Sequence, residues 1–159
     1  MKDLDDFSKF LTDEELAKVA PMLERLTTLD KRADQQENYM SFVKHVWPQF
    51  IEGSHHKIYA EKLQAVADGK LKRLIINMPP RHTKSQFASY LFPTWLMGRR
   101  PDLKIIQATH TAELAVGFGR KIKNLIESED FKDVFPEVSL AGDAKASGRW
   151  STNKGGEYY

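Results

Sequence analysis

The residues best suited to chemistry lie together at positions 78–85. Lys84 and Ser85 follow a turn-forming segment that contains Pro79 and Pro80. A lysine ammonium can bind the phosphates of a nucleotide, and a serine hydroxyl can coordinate Mg²⁺, where both stand at the start of a helix whose free amides face the anion. The residue types and their order therefore predict a phosphate-binding loop, which we call the 78–85 loop.

The loop departs from the strict pattern G-x-x-x-x-G-K-S/T at both glycines. Met78 occupies the first glycine position and Thr83 the second, whereas Lys84 and Ser85 fit. Glycine lets a backbone approach phosphate closely, but threonine is β-branched and stiff. Thr83 therefore predicts a weakened nucleotide affinity without the loss of either polar partner.

The segments around the loop predict an α/β fold. Residues 74–76 form an apolar run that suits a strand covered on both faces, and the two prolines end it. A helix then runs from Lys84 toward Gly98, with a kink expected at Pro93, and a second buried strand is predicted at residues 103–106. Strand, helix and strand make a βαβ unit, in which a ligand binds at the carboxyl ends of the strands.

Composition sets the frame for this interpretation. The 159 residues carry 41% hydrophobic side chains, a formal net charge of +2 and no cysteine, which predicts a folded domain without disulfides or thiolate metal sites. No apolar run is long enough to span a bilayer, and the start is acidic where a signal peptide would be basic. We therefore expect a soluble intracellular protein.

Helical patterns surround the predicted loop. Thr12 and Glu15 predict a capping box within a helical segment over residues 1–37, which is either a lid or a solvated appendage. Further helices are expected from Asn38 to a stop at Pro48, from a cap at Ser54 to Asp68 with a stop at Gly69, and from a cap at Thr111 to Glu127. Outward-facing cations on the last of these helices could contact DNA or simply be solvated: Arg120, Lys121 and Lys123.

Several of these segments resemble one protein family. His55-His56, residues 71–85, residues 92–96, Leu114-Ala115 and residues 118–120 are similar to the amino-terminal ATPase half of the large terminase subunit of tailed bacteriophages. The resemblance covers roughly residues 40–159. The family usually reads Pro-Pro-Arg-His-Gly-Lys-Ser at the phosphate loop, so Thr83 is the main departure.

The resemblance implies a P-loop NTPase with a RecA-like βαβ core, truncated before its Walker B strand. The domains would be an N-terminal helical segment at 1–37 and a partial ATPase domain at 38–159, without the nuclease domain. ATP and Mg²⁺ are the implied cofactors, with Ser85 as the magnesium ligand. The implied ATP-binding residues are Pro79, Pro80, Arg81, His82, Thr83, Lys84, Ser85, His55 and His56.

The implied roles leave alternatives open. Lys84 and Arg81 are the candidate catalytic residues, with Arg81 stabilising charge on the transferred phosphoryl group or, alternatively, pairing with an acid. One of the histidines could lie beside adenine, whereas a helix-capping histidine is the competing interpretation. No apolar strand ending in paired acids follows Ser85, and no acidic cluster resembles a two-metal nuclease site. We therefore expect a fragment or a truncated product that lacks turnover alone.

The implied function is ATP-driven packaging of double-stranded viral DNA into procapsids. The implied partners are the DNA, the small terminase subunit and the portal protein, with a ring homo-oligomer during packaging and no membrane. The implied location is the host cytoplasm rather than the mature virion. The alternatives are a remnant that binds nucleotide or a partner protein without hydrolysis, and another helicase-like P-loop ATPase.

Overall fold

The computed structural model describes residues 12–142 and 148–159. Six α-helices, one π-helical turn and three short strands occur in these residues. The helices are α1 (Asp13–Glu37), α2 (Tyr39–Val46), α3 (Ser54–Ala67), α4 (Phe92–Arg99), α5 (Ala112–Glu127) and α6 (Glu129–Val134). The π-helical turn is Gln86–Leu91, and the strands are β1 (Lys104–Ile105), β2 (Trp150–Ser151) and β3 (Glu157–Tyr158). None of the helices described is both long and apolar enough to cross a membrane.

The chain divides into two compact units between Ala33 and Asp34. The first unit contains most of α1, and the predicted capping box at its start is confirmed. The Thr12 amide donates to Glu15 Oε2 at 3.0 Å, and the Glu15 amide donates to Thr12 Oγ1 at 3.4 Å. The part of the predicted segment before Thr12 lies outside the described residues.

The second unit is built around a core of aromatic side chains. Tyr39, Phe87 and Trp95 are fully buried, and the Tyr39 ring lies 5.8 Å from Phe87 and 5.3 Å from Trp95. Their polar atoms are satisfied, since Tyr39 OH donates to Phe87 O at 2.8 Å and Trp95 Nε1 donates to Gln35 O at 3.0 Å. Burial of a large apolar ring stabilises the folded state by about 2 kcal/mol or more. The core therefore fixes the start of the helix that follows the 78–85 loop.

That helix contains a π-helical turn directly before Pro93. Its residues from Lys84 to Arg99 are continuously helical, and the Phe92 amide bonds to Phe87 O, five residues back. Proline has no amide proton and its ring collides with the preceding turn, so the wider turn accommodates Pro93 without ending the helix. The helix therefore continues through Pro93, and its pitch changes locally at the place where the sequence predicts a kink.

The three strands form one small mixed sheet in the order β1-β3-β2. β1 is parallel to β3, with Ile105 opposite Tyr158, and β2 is antiparallel to β3, with Trp150 opposite Tyr158. Trp150 and Tyr158 stack at 5.0 Å, and Trp150 Nε1 donates to Gly119 O of α5 at 3.2 Å. The sheet is therefore attached to α5 through one indole ring.

The predicted RecA-like βαβ P-loop core is wrong for this chain. The part of the chain that the structure describes is 59% helical, and the sheet in it has three strands, none of which precedes the 78–85 loop. Residues 74–76 form no strand: Ile75 is 88% exposed while Leu74 and Ile76 pack against the core. A strand exists only where its amides and carbonyls find a partner backbone, and the sheet's pairs begin at Lys104.

Candidate functional site

The 78–85 loop has an unusual backbone at two positions. Arg81 and Thr83 both adopt positive φ angles, of 65° and 60°, although neither is glycine. Thr83 stands where the phosphate-loop pattern has its second glycine, and a left-handed residue at that point is what the glycine would permit. Residues that alternate between left-handed and right-handed conformations turn successive amides toward one side of a turn, which suits an anion.

Lys84 and Ser85 lie at the start of the helix, as the sequence predicts. The first helical hydrogen bond runs from the Phe87 amide to Thr83 O at 2.9 Å, so Thr83 is the residue at the mouth of the helix. The amides in the first turn of a helix have no acceptor within the helix. The side chains of Lys84 and Ser85 are both exposed. Free amides, a cation and a hydroxyl therefore share one accessible helix end.

The Lys84 ammonium is folded back across the loop. Its Nζ donates to Met78 O at 3.4 Å, a long bond to a neutral acceptor. The Lys84 carbonyl accepts a hydrogen bond of 2.9 Å from Tyr59 OH, and burial raises the pKa of Tyr59 to about 12, so the phenol remains a donor. The backbone of Lys84 is thus anchored to α3 while its charged end can move to an anion.

His56 is the other anchor of the loop. Its side chain is 6% exposed, and its Nε2 lies 2.8 Å from Thr83 Oγ1. Its Nδ1 accepts a hydrogen bond of 2.9 Å from the Gly53 amide, so Gly53, and not Ser54 as predicted, precedes the first turn of α3. The structure therefore places the buried imidazole of His56 against the loop, where it holds the side-chain hydroxyl of Thr83.

The pKa of His56 is shifted by its surroundings. Burial lowers the pKa of the imidazole from its ordinary value, and the adjacent His55 and the nearby His82 lower it further. Glu52 acts in the opposite direction. Because the net shift is downward, the neutral imidazole is the form that the folded chain favours.

Two more histidines lie near His56. The His55 ring centroid is 3.8 Å from that of His56 and 6.0 Å from that of His82. His82 Nδ1 donates to Pro80 O at 2.9 Å, which braces the turn. The structure therefore brings three of the predicted ATP-binding residues together, His55 and His56 on α3 and His82 in the loop.

An open cleft of about 280 Å³ adjoins the loop on this side. His55, Ile58, Tyr59 and Lys62 of α3 form one wall, and residues 74–78 form the other. The cleft is mainly apolar, and it ends at Met78, where the loop begins. A flat ring attached to a phosphate chain in the loop would have room there.

Arg81 is exposed at the tip of the turn, next to Pro79 and Pro80. Within residues 12–142 and 148–159, no ion pair joins Arg81 to an acid. The alternative interpretation of a structural arginine bound to a carboxylate therefore has no partner among the described residues. The guanidinium is left available to an anion at the loop.

Sequence reasoning named one of the two residues that hold the loop from α3 and missed the other. It offered the histidines either as an adenine contact or as a helix cap, and His56 does cap α3 by accepting from the Gly53 amide. It gave Tyr59 no role. Both side chains sit on one face of α3, three residues apart, which is the spacing that makes helical side chains neighbours. That spacing was visible, but the identity of their partners, Thr83 and Lys84, depends on tertiary packing.

Comparisons with known proteins add no relative to this picture. No family model, no curated protein and no solved structure matches the chain. The similarity to large terminase subunits accordingly stays a prediction from the motif residues themselves.

Proposed function

We propose that the 78–85 loop binds the phosphates of ATP together with Mg²⁺, and that the chain is the nucleotide-binding part of a viral DNA-packaging ATPase. The observation that carries the proposal is the left-handed Thr83 at the mouth of a helix, with the Lys84 ammonium folded over the same loop. Backbone shape, charge and free amides then converge on one place, which is what a polyphosphate requires.

Each residue of the loop has a part in this proposal. Lys84 leaves its weak acceptor Met78 O and binds the phosphate oxygens, while the exposed Ser85 hydroxyl coordinates Mg²⁺. Arg81 approaches the terminal phosphate, where charge develops during phosphoryl transfer. Pro79, Pro80 and His82 shape the turn, and His55 borders the cleft proposed for the base.

The wider function rests on the resemblance. A packaging motor would couple the nucleotide state of this loop to movement of double-stranded DNA, in a ring with the small terminase subunit and the portal protein, in the host cytoplasm. Loops that a nucleotide orders and hydrolysis releases are the general means of such coupling. Hydrolysis by this chain would need a carboxylate that the sequence after Ser85 does not identify.

A second candidate is nucleotide binding without hydrolysis. The observation in its favour is that no acid between residues 127 and 137 lies at the end of a strand. Glu127 is the last residue of α5, Glu129 and Asp130 lie in the first turn of α6, and Glu137 follows Pro136. Release of inorganic phosphate from ATP separates the two candidates. Binding with turnover supports the motor, and binding without turnover supports the second candidate.

Magnesium-dependent binding tests the proposed site directly. We expect Ser85→Ala to remove most of the gain in ATP affinity that Mg²⁺ gives, because the metal loses its one hydroxyl ligand from the loop. We expect Ser85→Thr to keep that gain, since it keeps the hydroxyl. Isothermal titration with ATP, with and without Mg²⁺, measures both.

The metal-free titration is the internal control. Without Mg²⁺ the wild-type and alanine chains should bind ATP with the same affinity, because the hydroxyl then has no metal to hold. An equal gain from Mg²⁺ in the wild-type and alanine chains would contradict the assignment of Ser85.

A further inference from the structure

We propose that His56 is a positioning residue that holds the 78–85 loop in its left-handed turn through Thr83, and that protonation of His56 releases the loop. The inference rests on the proposed function in one respect, namely that this loop is where phosphate binds. The hydrogen bonds that carry it involve the protein alone.

A chain of three hydrogen bonds fixes the tautomer of His56. The Gly53 amide can only donate, so His56 Nδ1 must accept its bond of 2.9 Å. The ring proton of a neutral His56 is then on Nε2, which donates to Thr83 Oγ1 at 2.8 Å. The Thr83 hydroxyl in turn donates to His82 O at 2.6 Å. The Nε2–H tautomer of His56 is therefore the only neutral form that allows all three hydrogen bonds.

Thr83 needs such a support because its backbone is strained. A β-branched residue rarely adopts a φ of 60°, and it persists there only where the surroundings over-determine it. The bond from His56 and the bond to His82 O hold the hydroxyl on both sides. A glycine would adopt the same turn without help, so Thr83 makes the loop depend on His56.

A second proton on His56 would break the first of these three hydrogen bonds, the one from the Gly53 amide to Nδ1. An imidazolium donates from both nitrogens, so Nδ1–H would face the Gly53 N–H. The charge would also be held out of water, because His56 is 6% exposed and its ring lies beside those of Phe50 and Phe87, at centroid distances of 4.8 and 5.3 Å. The ionisable groups that act on His56 are Glu52, His55 and His82.

The direction of the pH effect follows from these neighbours. Burial, His55 and His82 lower the pKa of His56 and outweigh Glu52. The folded chain thus binds fewer protons here than the unfolded chain, whose histidine keeps its ordinary pKa of about 6.5. The contribution of neutral His56 to the stability of the folded chain is therefore fully present above about pH 6.5. It is lost as the pH falls below about 6.5 and passes through the lowered pKa of the folded state.

Nuclear magnetic resonance of the whole chain tests the inference without any nucleotide. We expect the imidazole nitrogen shifts of His56 to show the Nε2–H tautomer at about pH 8, with a titration midpoint below the ordinary value. The amide signals of residues 81–85 should shift with the same midpoint. The indole signals of Trp95 and Trp150, which lie in the core and the sheet, should stay unchanged through it.

Two variants separate the positioning role from a general effect of pH. In Thr83→Val the shape is kept but the hydroxyl is lost, so His56 should still titrate while the loop amides no longer follow it. In His55→Gln the bond to Thr83 is kept, so the loop amides should still follow. An Nδ1–H tautomer of His56 would overturn the inference. So would loop amide signals that do not shift with the His56 titration in the wild type, or that shift with it equally in Thr83→Val. Loss of the Trp150 signal at the same midpoint would also overturn it, because the whole fold would then be changing.

Nucleotide binding supplies the functional readout. At neutral pH we expect His56→Ala to bind Mg·ATP about tenfold more weakly, the effect of one lost hydrogen bond, and His56→Gln to recover part of that loss. Equal affinity of His56→Ala and wild type would overturn the positioning role. Absence of ATP binding in the wild type would instead refute the proposed function, while the coupling between His56 and the loop amides would still decide this inference.

Discussion

Replacing Lys84 by alanine is expected to abolish measurable ATP binding. The ammonium is the single lysine charge on the 78–85 loop, and its present acceptor, Met78 O, is neutral and 3.4 Å away. A phosphate oxygen is a stronger acceptor because it is charged, so the lost interaction corresponds to an affinity about a hundredfold lower. The alanine chain should otherwise fold as before, since the Lys84 side chain is exposed.

Lys121→Ala is the matched control for this variant. Lys121 is an exposed lysine on α5, and its removal changes the net charge by the same amount. Calorimetric titration with Mg·ATP should therefore show near wild-type affinity for Lys121→Ala and no measurable heat for Lys84→Ala. Full ATP affinity, or full ATPase activity, in the Lys84 variant would rule out the site assignment.

Gly156→Ala is expected to destabilise the chain by about 3 kcal/mol, at the upper end of the range for an overpacked site. A Cβ atom at this position would lie 2.3 Å from Pro101 O and 2.8 Å from Leu103 O. Both neighbours are backbone atoms, which cannot rotate away. The Gly156 amide also donates to Pro101 O at 3.0 Å, so separation of the two segments would break that bond and disturb the pairing of β1 with β3.

Gly117→Ala is the control for a glycine that has space. Gly117 lies inside α5, and a Cβ there meets nothing within 4 Å. An alanine in a helix interior is more favourable than a glycine by about 1 kcal/mol, so this variant should be as stable as the wild type or more so. Urea denaturation followed by tryptophan fluorescence compares the two. A Gly156 variant with an unchanged midpoint would show that the sheet does not pack as described.

The helices were predictable because their ends carry local signals. Thr111 accepts from the Leu114 amide at 3.3 Å at the start of α5, and Gly69 adopts a φ of 73° just beyond α3, both as the sequence predicts. Capping requires only residues that are a few positions apart. The first turn of α5 is less buried than its middle, since Leu114 is 41% exposed whereas Ile122 is fully buried.

The sheet was not predictable in the same way. Residues 74–76 and 103–106 read as runs buried on both faces, yet Ile75 is 88% exposed and Ile106 is 82% exposed. Composition favours an extended backbone in both runs, but whether such a backbone becomes a strand depends on a partner distant in sequence. Leu103 and Ile105 pair through backbone hydrogen bonds with residues 157–159, whereas residues 74–76 pair with no strand of the sheet.

The sequence was sufficient to predict the residues of the candidate site that could bind phosphate and Mg²⁺, but not the residues that hold the loop in place. The Lys84-Ser85 pair and the turn before it followed from the motif. The buried His56 and Tyr59, which hold Thr83 and the Lys84 backbone, belong to another helix. The replacement of glycine by Thr83 appears in the sequence as a defect of the motif, whereas in the structure Thr83 keeps the left-handed turn and accepts a hydrogen bond.

The most direct measurement of the central claim is a titration of the isotope-labelled chain with Mg·ATP, followed by amide signals. If the 78–85 loop binds the phosphates, the largest shifts will occur at the amides of residues 81–85, and Lys84→Ala will remove them. If Mg·ATP leaves those amides unchanged, or shifts chiefly residues elsewhere in the chain, the loop is not a nucleotide site and the proposed function is wrong.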